Sequence, residues 1–377
     1  MNIETVDRKP PMRTYFCPGR VCLIGEHLDY NGGFVMPAAI SLGIYAKVIF
    51  RNDNKISCSS AQFSNSLEID LSKTVEYENQ AGWGNYVKGV VRYLKNAGLK
   101  IPALEIEFSA DLPSGAGLSS SAAIEVLVAY ILQKEAGLEN IDRIKTALLC
   151  KDVENNFVGV KCGIMDQFSV ATGKKGHAVI LNCETLEHEF VPVNTGDYGF
   201  IIINSNKRRE LTGSKFNERK HECEQALQAI QKHRQVNSLG EAKREEILEF
   251  VKEENPRKRA LHVFEENQRV QLAGVALKKS DLQQFGLLMN ASHQSLKNLY
   301  EVTGTELDIL AENAITIEGC IGARMTGAGF GGCGIALVKK AQINNFKQQL
   351  NQIYTSQIGY PLSFYEFEIS DGVGERH

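Results

Sequence analysis

Between residues 112 and 128 the chain reads LPSGAGLSSSAAIEVLV, two glycines and three consecutive serines directly in front of an apolar run that reads as a buried helix. A loop of that kind constrains what can surround it. The first N–H groups of a helix have no partner within the helix and carry partial positive charge. Small residues and hydroxyls placed there therefore either cap the helix or receive an anion, phosphate above all. The common phosphate loop, G-x-x-x-x-G-K-[ST], is not what is written, because no lysine follows Gly117. An anion here has to be held by other groups, and simple capping by Ser119 to Ser121 is the competing reading.

The 377 residues are 43% hydrophobic and 23% charged, enough for two domains with a sizeable core and too apolar for a disordered chain. A formal net charge of −3 provides no basic field for nucleic acid or an anionic membrane, so a phosphate has to be met locally. The cysteines, from Cys17 to Cys333, are scattered without a C-x-x-C pair, as expected of reduced thiols rather than a disulfide frame or zinc site. No apolar leader opens the chain and no apolar stretch approaches the length of a membrane span, so a cytoplasmic protein is expected.

Strand-like runs alternate with turns in the first part: GGFVMPAAI, LGIYAKVIF and ALEIEFSA. Helical periodicity follows in NYVKGVVRYLKNAG, in the serine-led run from Ala122 to about Lys134, and in IDRIKTALLCKDVENNFVG. From GFIIINSN onward the chain is richer in charge and in helix, and it closes with CGIALVKK, a helix around AQINNFKQQLNQIY, and LSFYEFEIS. The expected division is a first domain over 1–190 and a second over 191–377, with no long linker between them.

Three further segments carry candidate chemistry. PGRVCLIGEHLDYNGGFVMP places Arg20, Glu26, His27 and Asp29 within ten residues, a set able to hydrogen-bond several hydroxyls of a polyol; an exposed charged turn has the same composition. RMTGAGFGGCGIALV satisfies G-x-G-x-x-G formally, but it opens a strand near the C-terminus rather than a helix in an early βαβ unit, which argues against a dinucleotide fingerprint. By itself it reads as a close-packing turn. GVKCGIMDQF carries Asp166, either a base toward a hydroxyl or a helix-capping aspartate.

In this order the segments resemble the three signature motifs and the catalytic loop of the GHMP kinases, and within them the galactokinase family. GRVCLIGEHLDYNGG is similar to the sugar signature, LPSGAGLSSSAA to the phosphate loop and MTGAGFGGCGIAL to the third motif; GWGNYVKGV, FNERKHEC, FGLLMNASHQSL and YEVTGTELDIL extend the resemblance over nearly the whole chain. The resemblance implies an α+β fold, a two-domain GHMP-kinase architecture with the active site between the domains. It implies transfer of a phosphoryl group from ATP to the anomeric hydroxyl of galactose. Gly115, Gly117, Ser119, Ser120 and Ser121 then cradle the triphosphate, Ser120 and Glu154 hold Mg²⁺, and Trp83 neighbours adenine. Glu26, His27 and Asp29 bind sugar hydroxyls, Asp166 faces the anomeric hydroxyl, and Arg20 lies between it and the γ-phosphate. The implied partners are a small sugar and ATP, with neither nucleic acid nor membrane; oligomeric state is left open, a monomer being compatible.

Cys22, Leu28, Phe216 and Ala291 depart from the family pattern, which usually has Asn, Thr, Tyr and Glu there. Phe216 bears most on the substrate, because the usual tyrosine hydroxyl touches the sugar. Loss of one hydrogen bond is worth about 1 kcal/mol, compatible with a weaker galactokinase or with a 1-kinase for N-acetylgalactosamine or a pentose. A catalytically silent sugar-sensing regulator is a further alternative, set against by the intact GLSSSAA, Glu154 and Asp166.

Overall fold

The computed structural model describes residues 12–113, 117–207 and 212–376. A long antiparallel pair, β1 (Arg13–Ile24) and β2 (Phe34–Phe50), is its spine. From Tyr15 to Ile24 the residues of β1 lie buried on both faces of the strand. Double burial of this kind requires cover on each side. The hairpin β3 (Lys55–Ser60) and β4 (Phe63–Asp70) and the strand β5 (Leu104–Ala110) extend the sheet. β5 shows the single-sided pattern: Leu104, Ile106 and Phe108 are buried while Glu105 and Glu107 face water.

Helices α1 (Gly84–Asn96), α2 (Ser120–Glu135), α3 (Arg143–Val153) and α4 (Met165–Thr172) form the layer on one side, with α2 and α4 against β1 and β2. α2 buries Ala122, Ala123, Val126 and Leu127 among others and has almost no polar stripe, consistent with its place at the centre of that layer. Strands β6 (His177–Asn182) and β7 (His188–Pro192) branch from the start of β2.

A second sheet begins at β8 (Tyr198–Asn204). The helices α5 (Thr212–Gln231), α6 (Arg244–Phe250), α7 (Glu254–Lys278), α8 (Leu282–Ser295) and α9 (Gly304–Ala314) follow, then strands β9 (Cys320–Thr326) and β10 (Cys333–Lys339), helix α10 (Ile343–Ile358) and strand β11 (Ser363–Glu366). The strand order is β11-β8-β10-β9. α7 and α8 reach back to β1, giving the spine part of its second cover.

The chain end does not stay in the second half. Residues 374 to 376 form β12 (Gly374–Arg376), which pairs with β1 through Thr14, Tyr15 and Phe16, and Ile369 bridges to Ile40. A division at residue 190 is therefore crossed by the last strand. Two other expectations change. GGFVMPAAI and LGIYAKVIF are one continuous strand, and the helix through Cys150 ends in a π turn at Glu154–Val158. No helix among the described residues is long and apolar enough to cross a membrane.

Candidate functional site

Arg20 lies near the middle of β1, only 5% exposed, and connects three separate stretches of chain. Its Nε donates to Asp166 Oδ1 at 2.8 Å, its Nη2 approaches the same oxygen at 2.7 Å, and its Nη1 donates to the Gly117 carbonyl at 2.7 Å. Asp166 stands in the first turn of α4, and its other oxygen accepts from Ser119 Oγ at 2.5 Å. Ser119 has φ +63° and makes no capping bond to the helix it precedes. Capping thus fails as the account of this serine, whose hydroxyl is committed to the carboxylate across the cleft. Gly117 also has positive φ, +75°, as the turn into α2 requires. Gly115 lies outside the described residues.

The turn after β1 supplies the polar wall. Glu26 is buried, accepts from the Gly327 amide at 3.0 Å, and faces the fully buried Arg324 at 2.5 Å. Arg324 also donates to the carbonyl of Cys22 at 3.0 Å. His27, held at φ +65°, stacks on Tyr300 with ring centroids 4.6 Å apart. Its Nδ1 is 2.9 Å from the Tyr30 hydroxyl, while Nε2 is buried with no hydrogen-bond partner among the described residues. Burial lowers its pKa to about 3, with His262 and Arg324 acting in the same direction, so the ring is neutral. Burial, reinforced by the charge of Asp166, raises Asp29 to about 6. Gly163 packs so tightly against the Asp29 carboxylate that a Cβ there would sit 2.1 Å from Oδ2.

A cavity of about 560 Å³ joins these groups, with Arg20, Glu26, His27, Asp29, Asp166 and Phe216 on its walls. A second of about 260 Å³ adjoins it, lined by the loop at 117–121 together with Arg20, Asp166 and Ala328. Arg20 and Asp166 belong to both. Gly327 closes one side, where a Cβ would come within 3.1 Å of the Gly117 carbonyl, so the third motif meets both the turn after β1 and the serine loop.

Glu154, buried in the π turn, accepts from Gln167 Nε2 at 2.6 Å. Burial first, then the charge of Asp166, raises it to about 7, while a hydrogen bond from Ser121 pulls the other way. Beside Glu154 the structure places Ser121, one position along from the expected Ser120. Ser121 shares the larger cavity with Glu154, whereas Ser120 is exposed and lines only the loop cavity. The donor set fits Mg²⁺: Glu154 is a buried carboxylate with no cationic side chain bonded to it among the described residues, and a hydroxyl stands beside it. No group of three or more His, Cys, Asp or Glu able to hold a metal is found among the described residues. A magnesium ion would accordingly rely on phosphate oxygens and water for its remaining ligands, as this small hard cation commonly does.

Trp83 lines neither cavity. Its indole lies at 6.2 Å on Phe63 and edge-on to Phe108 of β5, and its Nε1 donates to Asn65. Of the four departures from the family pattern, only Phe216 is on a cavity wall, with its ring 5.4 Å from Tyr30 and 6.0 Å from His27. Cys22 and Leu28 are wholly buried in the core, and Ala291 is exposed on α8. Arg324, Tyr30, Tyr300, Gln167 and the role of Ser121 were not visible in the sequence. A lone buried arginine in a strand and a tyrosine at the end of a π turn carry no local signature.

A cleft with one cation shared between a carboxylate and a serine loop, next to a polyol-lining set, is suited to moving a phosphoryl group onto a hydroxyl. The GHMP kinases N terminal domain model matches residues 85–174, the galactokinase galactose-binding signature residues 3–48, and the GHMP kinases C terminal model residues 275–356. The chain is 46% identical to a galactokinase of Clostridium tetani, over 97% of this chain and 93% of the relative. With a galactokinase of Ligilactobacillus salivarius it shares 47% identity over 95% and 94%. Lactococcus lactis galactokinase complexed with galactose superposes with a TM-score of 0.93 at 42% identity, covering 98% of this chain and 97% of that one. Methanococcus jannaschii mevalonate kinase has the same fold, with a TM-score of 0.70 at 20% identity over 97% and 100%.

Proposed function

The chain belongs to the galactokinase family of GHMP kinases, and we propose how its cleft performs the ATP-dependent phosphorylation of galactose, with the anomeric hydroxyl as acceptor. The observation that carries the proposal is the position of Arg20, which holds Asp166 on one side and the Gly117 carbonyl of the serine loop on the other. Acceptor and donor sites are thereby fixed to one rigid guanidinium on a buried strand.

Galactose occupies the larger cavity, with its hydroxyls against Glu26, His27 and Asp29 and its C1 hydroxyl at Asp166. The triphosphate of ATP lies along 117–121, where the start of α2 supplies N–H groups and Ser120 a hydroxyl, with the adenine toward Trp83. Arg20 offsets the negative charge on the transferring group and holds Asp166 in place through its hydrogen bond. Asp166 takes the C1 proton as the new P–O bond forms and the bond from the γ-phosphorus to the β–γ bridging oxygen breaks, releasing ADP; in a loose transition state that transfer comes late, so positioning contributes alongside basicity. Glu154 and Ser121 would hold Mg²⁺, which would supply positive charge to offset that of the phosphates. The setting is cytoplasmic, which the scatter of cysteines from Cys17 to Cys320, none in a disulfide among the described residues, supports. The test is kcat/KM for galactose against N-acetylgalactosamine and a pentose: galactose should lead, and a better result with either competitor would overturn the substrate assignment.

A further inference from the structure

Four side chains behind the sugar wall form a continuous line of polar hydrogens. Cys223 Sγ is 3.1 Å from the Tyr300 hydroxyl, that hydroxyl is 2.8 Å from the Tyr30 hydroxyl, and Tyr30 is 2.9 Å from His27 Nδ1. The thiol is pushed up to about 12 and both phenols are held well above their ordinary range, chiefly by burial, so each keeps its proton. Three protons thus serve three hydrogen bonds. If every one points toward His27, each donor has an acceptor and the line ends on Nδ1. In the opposite direction Tyr300 would have to donate to sulfur, a weak acceptor that already takes a hydrogen bond from the Asn31 side chain, and the S–H would be left over. A phenol is also the stronger donor and an imidazole nitrogen the stronger acceptor, which favours the same direction.

We infer that Tyr30 and Tyr300 are positioning residues that hold His27 in its Nε2–H tautomer, so that the ring presents a donor to a hydroxyl of the sugar. This rests on the reading that His27 lies against galactose. It accounts for the one nitrogen of the ring left without a partner, Nε2, in a buried place where an unmet donor is costly. Sugars that lack the matching hydroxyl leave that donor unmet, which makes the tautomer a determinant of specificity.

Long-range ¹H–¹⁵N spectra of the full chain labelled with ¹⁵N-histidine test it, His27 being assigned by its absence in His27→Gln. The expected wild-type pattern is a proton on Nε2 and an unprotonated Nδ1 shielded by an accepted hydrogen bond. Tyr30→Phe should move Nδ1 to the position of a free acceptor, or protonate it, and raise KM for galactose about fivefold with a smaller effect on kcat. Tyr300→Phe, which leaves Tyr30 in place, should move Nδ1 less and in the same sense, and serves if Tyr30→Phe does not fold. A wild-type proton on Nδ1, or an Nδ1 signal indifferent to both variants, overturns the inference. Galactose should shift the Nε2–H signal; an Nε2–H tautomer blind to galactose overturns the sugar contact while leaving the line of hydroxyls intact, and so separates the two failures.

Discussion

Asp166 divides its oxygens between Arg20 and Ser119, and removing its charge should affect chemistry more than sugar binding. Asp166→Asn is expected to lower kcat by about 10²-fold or more, the usual contribution of a general base, with KM for galactose little changed. Arg20, nearly buried, also loses its charged partner, so a modest fall in Tm should accompany the loss. Steady-state kinetics together with a melting curve check both, and a variant retaining most of its turnover would reduce Asp166 to a structural group. Phe216→Tyr should return a hydroxyl to the cavity wall and raise kcat/KM for galactose by up to about tenfold. Lower activity on galactose in a folded, ATP-binding variant would mean that the apolar wall suits a different ligand. That Arg20, Glu26 and Asp166 share one cavity was legible through the motifs that carry the family resemblance. The one-residue change from Ser120 to Ser121 was not, because the direction of a side chain depends on where the helix begins, and Ser119 enters it in the left-handed region.

Among the elements, the turn between β9 and β10 has little room for change. Gly329 has φ +80°, and a Cβ there would lie 2.2 Å from the Val302 carbonyl, so Gly329→Ala should cost about 1–3 kcal/mol and lower Tm in thermal unfolding. An unchanged Tm would show that the turn relaxes freely. The junction of α2, the π turn and α4 gives a pH prediction. Glu154 holds its proton to about pH 7 in the folded chain against an ordinary 4.5, and Asp29 to about 6 against 3.8. Between those values the folded state binds more protons, so both groups make stability fall as pH rises. His27, at about 3, and His262, at about 4, act in the opposite sense below their ordinary 6.5. The informative quantity is therefore the Tm of Glu154→Gln minus that of the unliganded wild type, which should grow from pH 5 to pH 8; a flat difference contradicts the burial argument. Sequence periodicity recovered β5, β8, α1 and α2 because each has one clear face or a long apolar run. It missed the β3–β4 hairpin, whose second strand is largely exposed and too polar to alternate, and it divided β2 because Pro37 and Gly43 look like breaks. Pairing on both edges holds that strand together in spite of them.

For the molecule as a whole, the return of β12 to β1 ties the end of the chain to the sheet that carries Arg20. Removing residues 374–377 should lower Tm and weaken galactose turnover together, since β1 loses one edge partner; intact activity and Tm would show that the strand is dispensable. This crossing could not be read in advance, because three residues at a terminus carry no periodic signal and the pairing lies entirely in tertiary structure. The two-sheet architecture was legible only as alternating strand and helix and through the resemblance carried by its motifs. The most direct measurement is the position of the phosphate in the product formed from [1-¹³C]galactose, ATP and Mg²⁺, read by NMR. The cleft described above predicts ¹³C–³¹P coupling at C1, appearing at the rate ADP is released. Phosphate at another carbon, or ADP release that does not depend on galactose, would contradict it.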